Sequence, residues 1–357
     1  MPEIPRRTLL GGGTLFLAGC TRLSSGKSSV TNGKPLSAPI VIAHRGASGE
    51  RPEHTLASYE LAIREGADFI EPDLVPTKDG HLVARHENNI ADTSDVADHG
   101  EFTHRKTTKI IDGAKTTGWF TEDFTLAELK TLRAKERLPL LRPANAKFDG
   151  QFEIPTLAEI IALAKRASSE TGRTIGIYPE TKHPTYFASI GLGTDVPLVT
   201  QLAEAGWDSA DAPVFIQSFE VDNLKRLAGL TKIRLIQLLD AKGGPADGAV
   251  SDYAAMTTPE GLRDIAAYAW GIGPNHSMIL DSGLDLVTHA HAAGLRVHPW
   301  TFRAENYFLP SAFRKGINPR GHGDLIGAIR QQLAAGIDGF FTDFPHIGVE
   351  AIHQREI

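Results

Sequence analysis

Short β-branched runs alternate with helix-forming stretches along most of this 357-residue chain, the pattern of βαβ units around a parallel sheet. The strand-like runs are 39–43, 69–75, 174–180, 213–217, 232–238, 269–273, 295–300 and 339–343. Helical stretches fall between the later ones, at 156–168, 196–205, 222–227, 259–268 and 325–335. Eight parallel strands are the number that closes a barrel, so the predicted fold is α/β, a TIM (β/α)8 barrel.

Before the first strand, Arg6 and Arg7 precede an apolar and small-residue run from Thr8 to Ala18. That run is too short to span a bilayer as a mature helix, and residues 1–19 are expected to be a signal peptide. It ends in Leu17, Ala18, Gly19 and Cys20, the only cysteine of the chain. This resembles a lipoprotein signal box, so a lipid on Cys20 is expected to anchor an exported protein to a membrane, in the periplasm or at the cell surface. The arginine pair resembles a twin-arginine export signal, with general secretion as the alternative. Residues 20–38, rich in Ser, Gly, Lys and Thr, read as the lipidated N-terminus and a flexible linker. One cysteine allows no internal disulfide, so the barrel, expected over residues 39–350, depends on burial for its stability.

The first strand ends at His44, and the second carries Glu71 and Asp73. Side chains alternate along a strand, so these carboxylates point the same way. Two buried carboxylates side by side need a cation or a proton, which outlines a metal site. The loop 76–80 is too short for a parallel crossover, so residues 81–86 must return antiparallel as a hairpin strand. His86 then arrives beside Glu71 and Asp73 at the carboxyl-end mouth, where barrel active sites lie. Residues 88–152 are long for a βα connection and are expected to form a small inserted subdomain over that mouth.

Taken in order, His44-Arg45-Gly46, Pro52 to Thr55, Glu71 with Asp73, Thr77 to Gly80 and His86 resemble the glycerophosphodiester phosphodiesterase family. The similarity continues through 125–130, 154–159, Glu180 to Lys182, Gln217 to Phe219, Trp300-Thr301 and 342–345, and so spans nearly all of the chain after the leader. One position departs from the pattern. Glu87 stands where most members have Asp after the histidine, as in an exported bacterial type with a long insertion. The resemblance implies the barrel fold and metal-dependent hydrolysis of a small-molecule glycerophosphodiester to glycerol 3-phosphate and an alcohol. It also implies that one of His44 and His86 is base on the attacking glycerol hydroxyl or water, and the other acid for the leaving alcohol.

The residues themselves support each role. Glu71, Asp73 and Glu180 bring three carboxylates from two strands, which suits one hard divalent cation, Ca²⁺ or Mg²⁺. No His/Cys cluster with zinc spacing competes. His44 and His86 fall at predicted strand ends and titrate near neutral pH without perturbation. Arg45 and Lys182 are candidates for holding phosphate oxygens, and Phe219 and Trp300 for walling the glycerol side of the pocket. Asp343 reads as a structural carboxylate closing the last strand.

A net charge of −6 argues against nucleic acid, which needs clustered basic residues to displace phosphate counterions. Loss of residues 1–19 would remove Arg6, Arg7 and Glu3 and leave about −7. The chain has no Gly-x-Ser-x-Gly elbow and no glycine-rich nucleotide fingerprint. Two alternatives remain: a phospholipase D-like enzyme acting on sphingolipid or lysolipid head groups, and a non-catalytic lipoprotein that binds phosphorylated polyols.

Overall fold

Alternation of side chains along the strands fills the barrel from below and equips it with chemistry from above. The computed structural model describes residues 38–281 and 285–353; the expected signal peptide, Cys20 and nearly all of the expected linker lie outside the described residues. The strands are β1 Ile40–Ala43, β2 Phe69–Ile70, β3 Asp73–Pro76, β4 Leu82–Ala84, β5 Thr107–Ile111, β6 Ala114–Gly118, β7 Gly176–Ile177, β8 Glu180–Thr181, β9 Phe215–Ser218, β10 Arg234–Leu239, β11 Gly271–Pro274, β12 Arg296–Val297 and β13 Gly339–Thr342.

Parallel ladders run β13-β1-β2-β7 and β12-β11-β10-β9-β8-β3. Bridges from Ile177 to Val214 and from Phe302 to Thr342 join the two arcs and close the barrel. Counted as barrel positions, β2 with β3 and β7 with β8 are two interrupted strands. The interruptions fall at Pro72 and Pro179, and Pro299 follows the short β12. Each expected long run is cut there because proline has no N–H to give the ladder. The hairpin return is present: β4 pairs antiparallel with β3, Leu74 opposite Ala84 and Pro76 opposite Leu82.

Ile40, Ile42, Phe69, Tyr178, Phe215, Ile236, Trp270 and Phe341 pack together as the barrel filling, with Tyr178 stacked on Phe215 at 4.9 Å between ring centres. Truncating one of these rings to alanine would cost about 3–5 kcal/mol in lost burial and cavity. Two residues further along the same strands stand His44, Glu71, Glu180, Gln217 and Asp343. The period of 2 that buries the filling therefore delivers the polar side chains to the carboxyl-end mouth. A second apolar layer, including Val41, Ile70, Leu157, Ile216, Leu224 and Ile329, lies between strands and outer helices. The helix Leu157–Thr171 shows how those helices are fixed: Thr156 and Glu159 make a reciprocal capping box, and Gly172 ends it at φ 68°.

The long connection after β4 carries the β5–β6 hairpin and an apolar cluster of its own. Ile90, Phe102, Trp119, Phe124 and Leu132 pack with Val75 and Val83 of the β3–β4 hairpin, and the Trp119 indole N–H donates to the Phe102 carbonyl at 2.7 Å. The connection is thus seated on the hairpin that carries His86.

Candidate active site

Chain direction at the end of β1 is set by two left-handed residues, Arg45 at φ 61° and Gly46 at φ 86°. Only glycine fits the second, because a Cβ there would lie 2.4 Å from Ser58 Oγ. The turn lets the Arg45 N–H donate to Glu71 Oε2 at 3.1 Å. His44, Arg45, Glu71, His86, Glu180 and Lys182 all line one cavity of about 340 Å³ at the barrel mouth, together with Gln217, Phe219, Asp240, Trp300 and Arg303. That space suits a small polyol phosphate. Every residue expected to take part in chemistry borders this cavity or, as with Asp73, the carboxylate group beneath it.

Glu71, Asp73 and Glu180 are buried, and each places a carboxylate oxygen within 4.8 Å of the others. Burial, then the charges of Asp73 and Glu180, push the Glu71 carboxyl well above the usual range. Burial is also the main cause that raises Glu180, to about 7, against the nearby Lys182 ammonium. For Asp73 burial is outweighed by His54, Lys182 and Arg45, which hold its carboxyl well below the usual range. His54 Nε2 lies 3.0 Å from Asp73 Oδ2, the Gln217 amide donates to Glu71 Oε1 at 2.7 Å, and Lys182 Nζ donates to Glu180 Oε1 at 2.8 Å. Asp73 Oδ1 is buried with no hydrogen-bond partner among the described residues. An oxygen in that state, inside three converging carboxylates, fits a divalent cation held by oxygen ligands, with His54 and Gln217 orienting those ligands from behind.

Each histidine is backed by a carboxylate. His44 Nδ1 lies 2.6 Å from Asp343 Oδ1, which leaves Nε2 for the cavity. His86 Nδ1 is hydrogen-bonded to Glu87, the next residue. Burial is the first cause that lowers the His44 imidazole, to about 4, with Arg45 adding to it and Asp343 opposing it. His86 is lowered by burial, then by Arg45 and Lys182; a third of its side chain meets solvent, which moderates the effect. Burial thus favours the neutral form of both rings.

Several residues that complete the site were not legible in the sequence. Asp343, read as structural, is the partner of His44. Glu87, read as a variant of the motif, is hydrogen-bonded to its neighbour His86. Arg137 and Arg142 come from the connection after β4, where no motif marks them, and both reach the carboxylates behind the histidines. For His54 and Gln217 a signal existed, since both sit inside the quoted motifs, but their outer position needed coordinates. Phe219 and Trp300 stack edge to face at 5.6 Å on the cavity wall.

Fold and site together define a (β/α)8 barrel enzyme with a buried cluster of three carboxylates and two histidines at its mouth. The model of the glycerophosphoryl diester phosphodiesterase family matches residues 44–347, and the chain belongs to that family. Glycerophosphodiester phosphodiesterase GDPD6 of Arabidopsis thaliana is 38% identical over 358 aligned residues, covering 93% of this chain and 92% of the plant protein. The glycerophosphodiester phosphodiesterase of Haemophilus influenzae is 31% identical, covering 96% of each chain. Among solved structures, an Oleispira antarctica phosphodiesterase in complex with the product sn-glycerol-3-phosphate matches in fold with a TM-score of 0.58 and 23% identity, covering 88% of this chain and 97% of that one.

Proposed function

We propose that this protein hydrolyses glycerophosphodiesters to glycerol 3-phosphate and an alcohol, with Ca²⁺ or Mg²⁺ at Glu71, Asp73 and Glu180 and with His44 and His86 as proton carriers. The observation that carries the reading is the placement of two carboxylate-backed histidines around three buried carboxylates in one cavity, in a chain that belongs to this family. A bound divalent cation would offset charge on the phosphate oxygens and on the attacking oxygen.

The chain's own residues account for the remaining demands. Arg45 lines the cavity, where its guanidinium can donate to a phosphate oxygen while its Nε pairs with Asp73 Oδ2 at 3.4 Å. Lys182 adds a point charge. One histidine takes the proton of the attacking water as the new O–P bond forms, or that of the adjacent glycerol hydroxyl, in which case a cyclic phosphate results and water then opens it to glycerol 3-phosphate. The other must be protonated to deliver a proton to the departing alcohol oxygen as the old O–P bond breaks. A phosphodiester anion in the cavity favours that protonated form, as does the carboxylate behind the ring. Phe219 and Trp300 wall one side of the cavity against the polyol.

Incubation of purified protein with glycerophosphocholine, with and without chelator, followed by assay of glycerol 3-phosphate, tests the reading. Chelator-sensitive release is expected, restored by Ca²⁺ or Mg²⁺. Cleavage of a sphingolipid or lysolipid with no action on glycerophosphocholine would replace it with the phospholipase D-like alternative, and saturable binding without turnover with the phospho-polyol-binding one.

We propose also that Cys20 carries a lipid that holds the exported enzyme at a membrane. Support comes from the sequence of residues 6–20 alone.

A further inference from the structure

The segment following β4 approaches the barrel mouth at one tight turn, where the Leu141 and Arg142 N–H groups both donate to the Leu138 carbonyl. Arg137 and Arg142 flank that turn and reach different carboxylates, Glu87 and Asp343. Arg137 forms two hydrogen bonds to Glu87, at 2.6 and 3.1 Å, and two to Glu53, at 2.9 and 2.6 Å. Arg142 donates to Asp343 Oδ2 at 2.6 Å and to Glu305 Oε1 at 2.6 Å. It is also pinned to the barrel through the Ser48 carbonyl at 2.9 Å.

Glu87 and Asp343 are the two carboxylates that contact His86 and His44. We infer that this turn positions both proton carriers, Arg137 by fixing Glu87 behind His86 and Arg142 by fixing Asp343 behind His44. The inference rests on the two-histidine reading above.

The chemistry favours a forked donor at Glu87, while at Asp343 Arg142 holds Oδ2 alone and directs its fork to Glu305. A guanidinium presents donors in a planar fork, so one side chain can fix both oxygens of a carboxylate and so the direction of its remaining lone pairs. Glu87 needs this most. Its chain has several rotatable bonds and is partly exposed, and an unclamped glutamate would leave the His86 ring free to turn. Asp343 is shorter, buried, and has a second donor in Arg303 at 3.0 Å, so Arg142 shares its task. Both arginines are positioning residues, since neither borders the cavity.

Double-mutant cycles decide the matter. Arg137→Ala should lower kcat on glycerophosphocholine about tenfold or more, the scale of losing an outer support for a working side chain, with KM changing less. Arg142→Ala should cost less, because Arg303 remains. In a His86→Ala background Arg137→Ala should cost less than about twofold, whereas in a His44→Ala background it should keep its full effect. Arg142→Ala should show the reverse pairing. Should the alanine variants fail to fold, Arg137→Lys and Arg142→Lys keep the charge, lose the fork and carry the same cycles. An undiminished Arg137 effect in His86→Ala would overturn the inference and point to Glu53 and Arg45 instead. If the single histidine variants keep wild-type turnover, it is the two-histidine reading that fails.

Discussion

Asp343 Oδ1 lies 2.6 Å from His44 Nδ1 while its other oxygen accepts from Arg142 and Arg303. A carboxylate fixed at both oxygens can only accept, so it selects the His44 tautomer with hydrogen on Nδ1 and a lone pair on Nε2. Asparagine in its place can turn an amide N–H towards Nδ1 and invert the tautomer. Asp343→Asn is expected to lower kcat by about 10²-fold or more, the range for losing a general acid or base. Cation affinity should stay near wild type. Steady-state kinetics alongside calorimetric cation titration check it; a variant with unchanged kcat removes Asp343 from the reaction.

Stability should report the same residue. Arg303 and Arg142, then His44, outweigh the effect of burial and hold the Asp343 carboxyl well below its usual value. A depressed folded pKa means stability that is present above the unfolded value of about 4 and is lost as pH falls through the folded one. At pH 7, Asp343→Asn should cost about 3–5 kcal/mol, as when one partner leaves a buried ion pair. Denaturant melts of both proteins should converge as pH is lowered below about 4. A gap that holds constant into that acid range contradicts the ion-pair account.

Glu71→Gln tests the cation site. Glu71 is buried beside Asp73 and Glu180, and its replacement removes one charge from the group that would hold the ion. Cation affinity and activity should fall together, and elemental analysis of dialysed protein should show substoichiometric metal. The same loss of charge relieves repulsion in the ion-free protein, so the variant should melt at or above the wild-type temperature without added cation. Full activity of wild-type protein shown by elemental analysis to be metal-free would sink the site.

The barrel was legible because its signal is local. Alternating runs and the short 76–80 loop require nothing beyond chain geometry, and the i, i+2 spacing of Glu71 and Asp73 alone puts both carboxylates on one face. Proline positions were visible too, yet the β-branched runs read as continuous through Pro72 and Pro179, where the missing N–H splits the second and third barrel strands. Arg137 and Arg142 were illegible for another reason. A polar arginine in a long connection reads as solvated, and only the fold places it against Glu87, 50 residues away, or Asp343, 201 residues away. The apolar cluster of Phe102, Trp119 and Phe124 is dispersed among charged residues, so no period announced it.

Cys20→Ser addresses anchoring. The cysteine precedes a stretch with no apolar period, and the strands that close the barrel all lie between Ile40 and Thr342. The variant should appear in the soluble fraction, or remain unprocessed, while its purified barrel keeps wild-type specific activity, because a flexible tether transmits no strain. Wild-type protein found wholly soluble after cell breakage excludes the lipid.

The two histidines can be assigned by leaving group. His44 directly follows β1 and His86 lies two residues past β4, so they enter the cavity from different elements and can serve opposite sides of one phosphorus. Replacing either by alanine should slow hydrolysis of glycerophosphocholine by about 10²-fold or more, with cation binding intact because neither belongs to the carboxylate group. A nitrophenyl phosphodiester departs without a proton, so it should restore turnover in the variant lacking the acid and leave the variant lacking the base impaired. His44, buried and tied to a fully fixed carboxylate, is the ring better held as a base, and His86, more open to solvent, the one better able to gain a proton between turnovers. His86→Ala should therefore be the variant rescued. Rescue of His44→Ala alone reverses the assignment, and near wild-type turnover of both on glycerophosphodiesters ends the two-histidine mechanism.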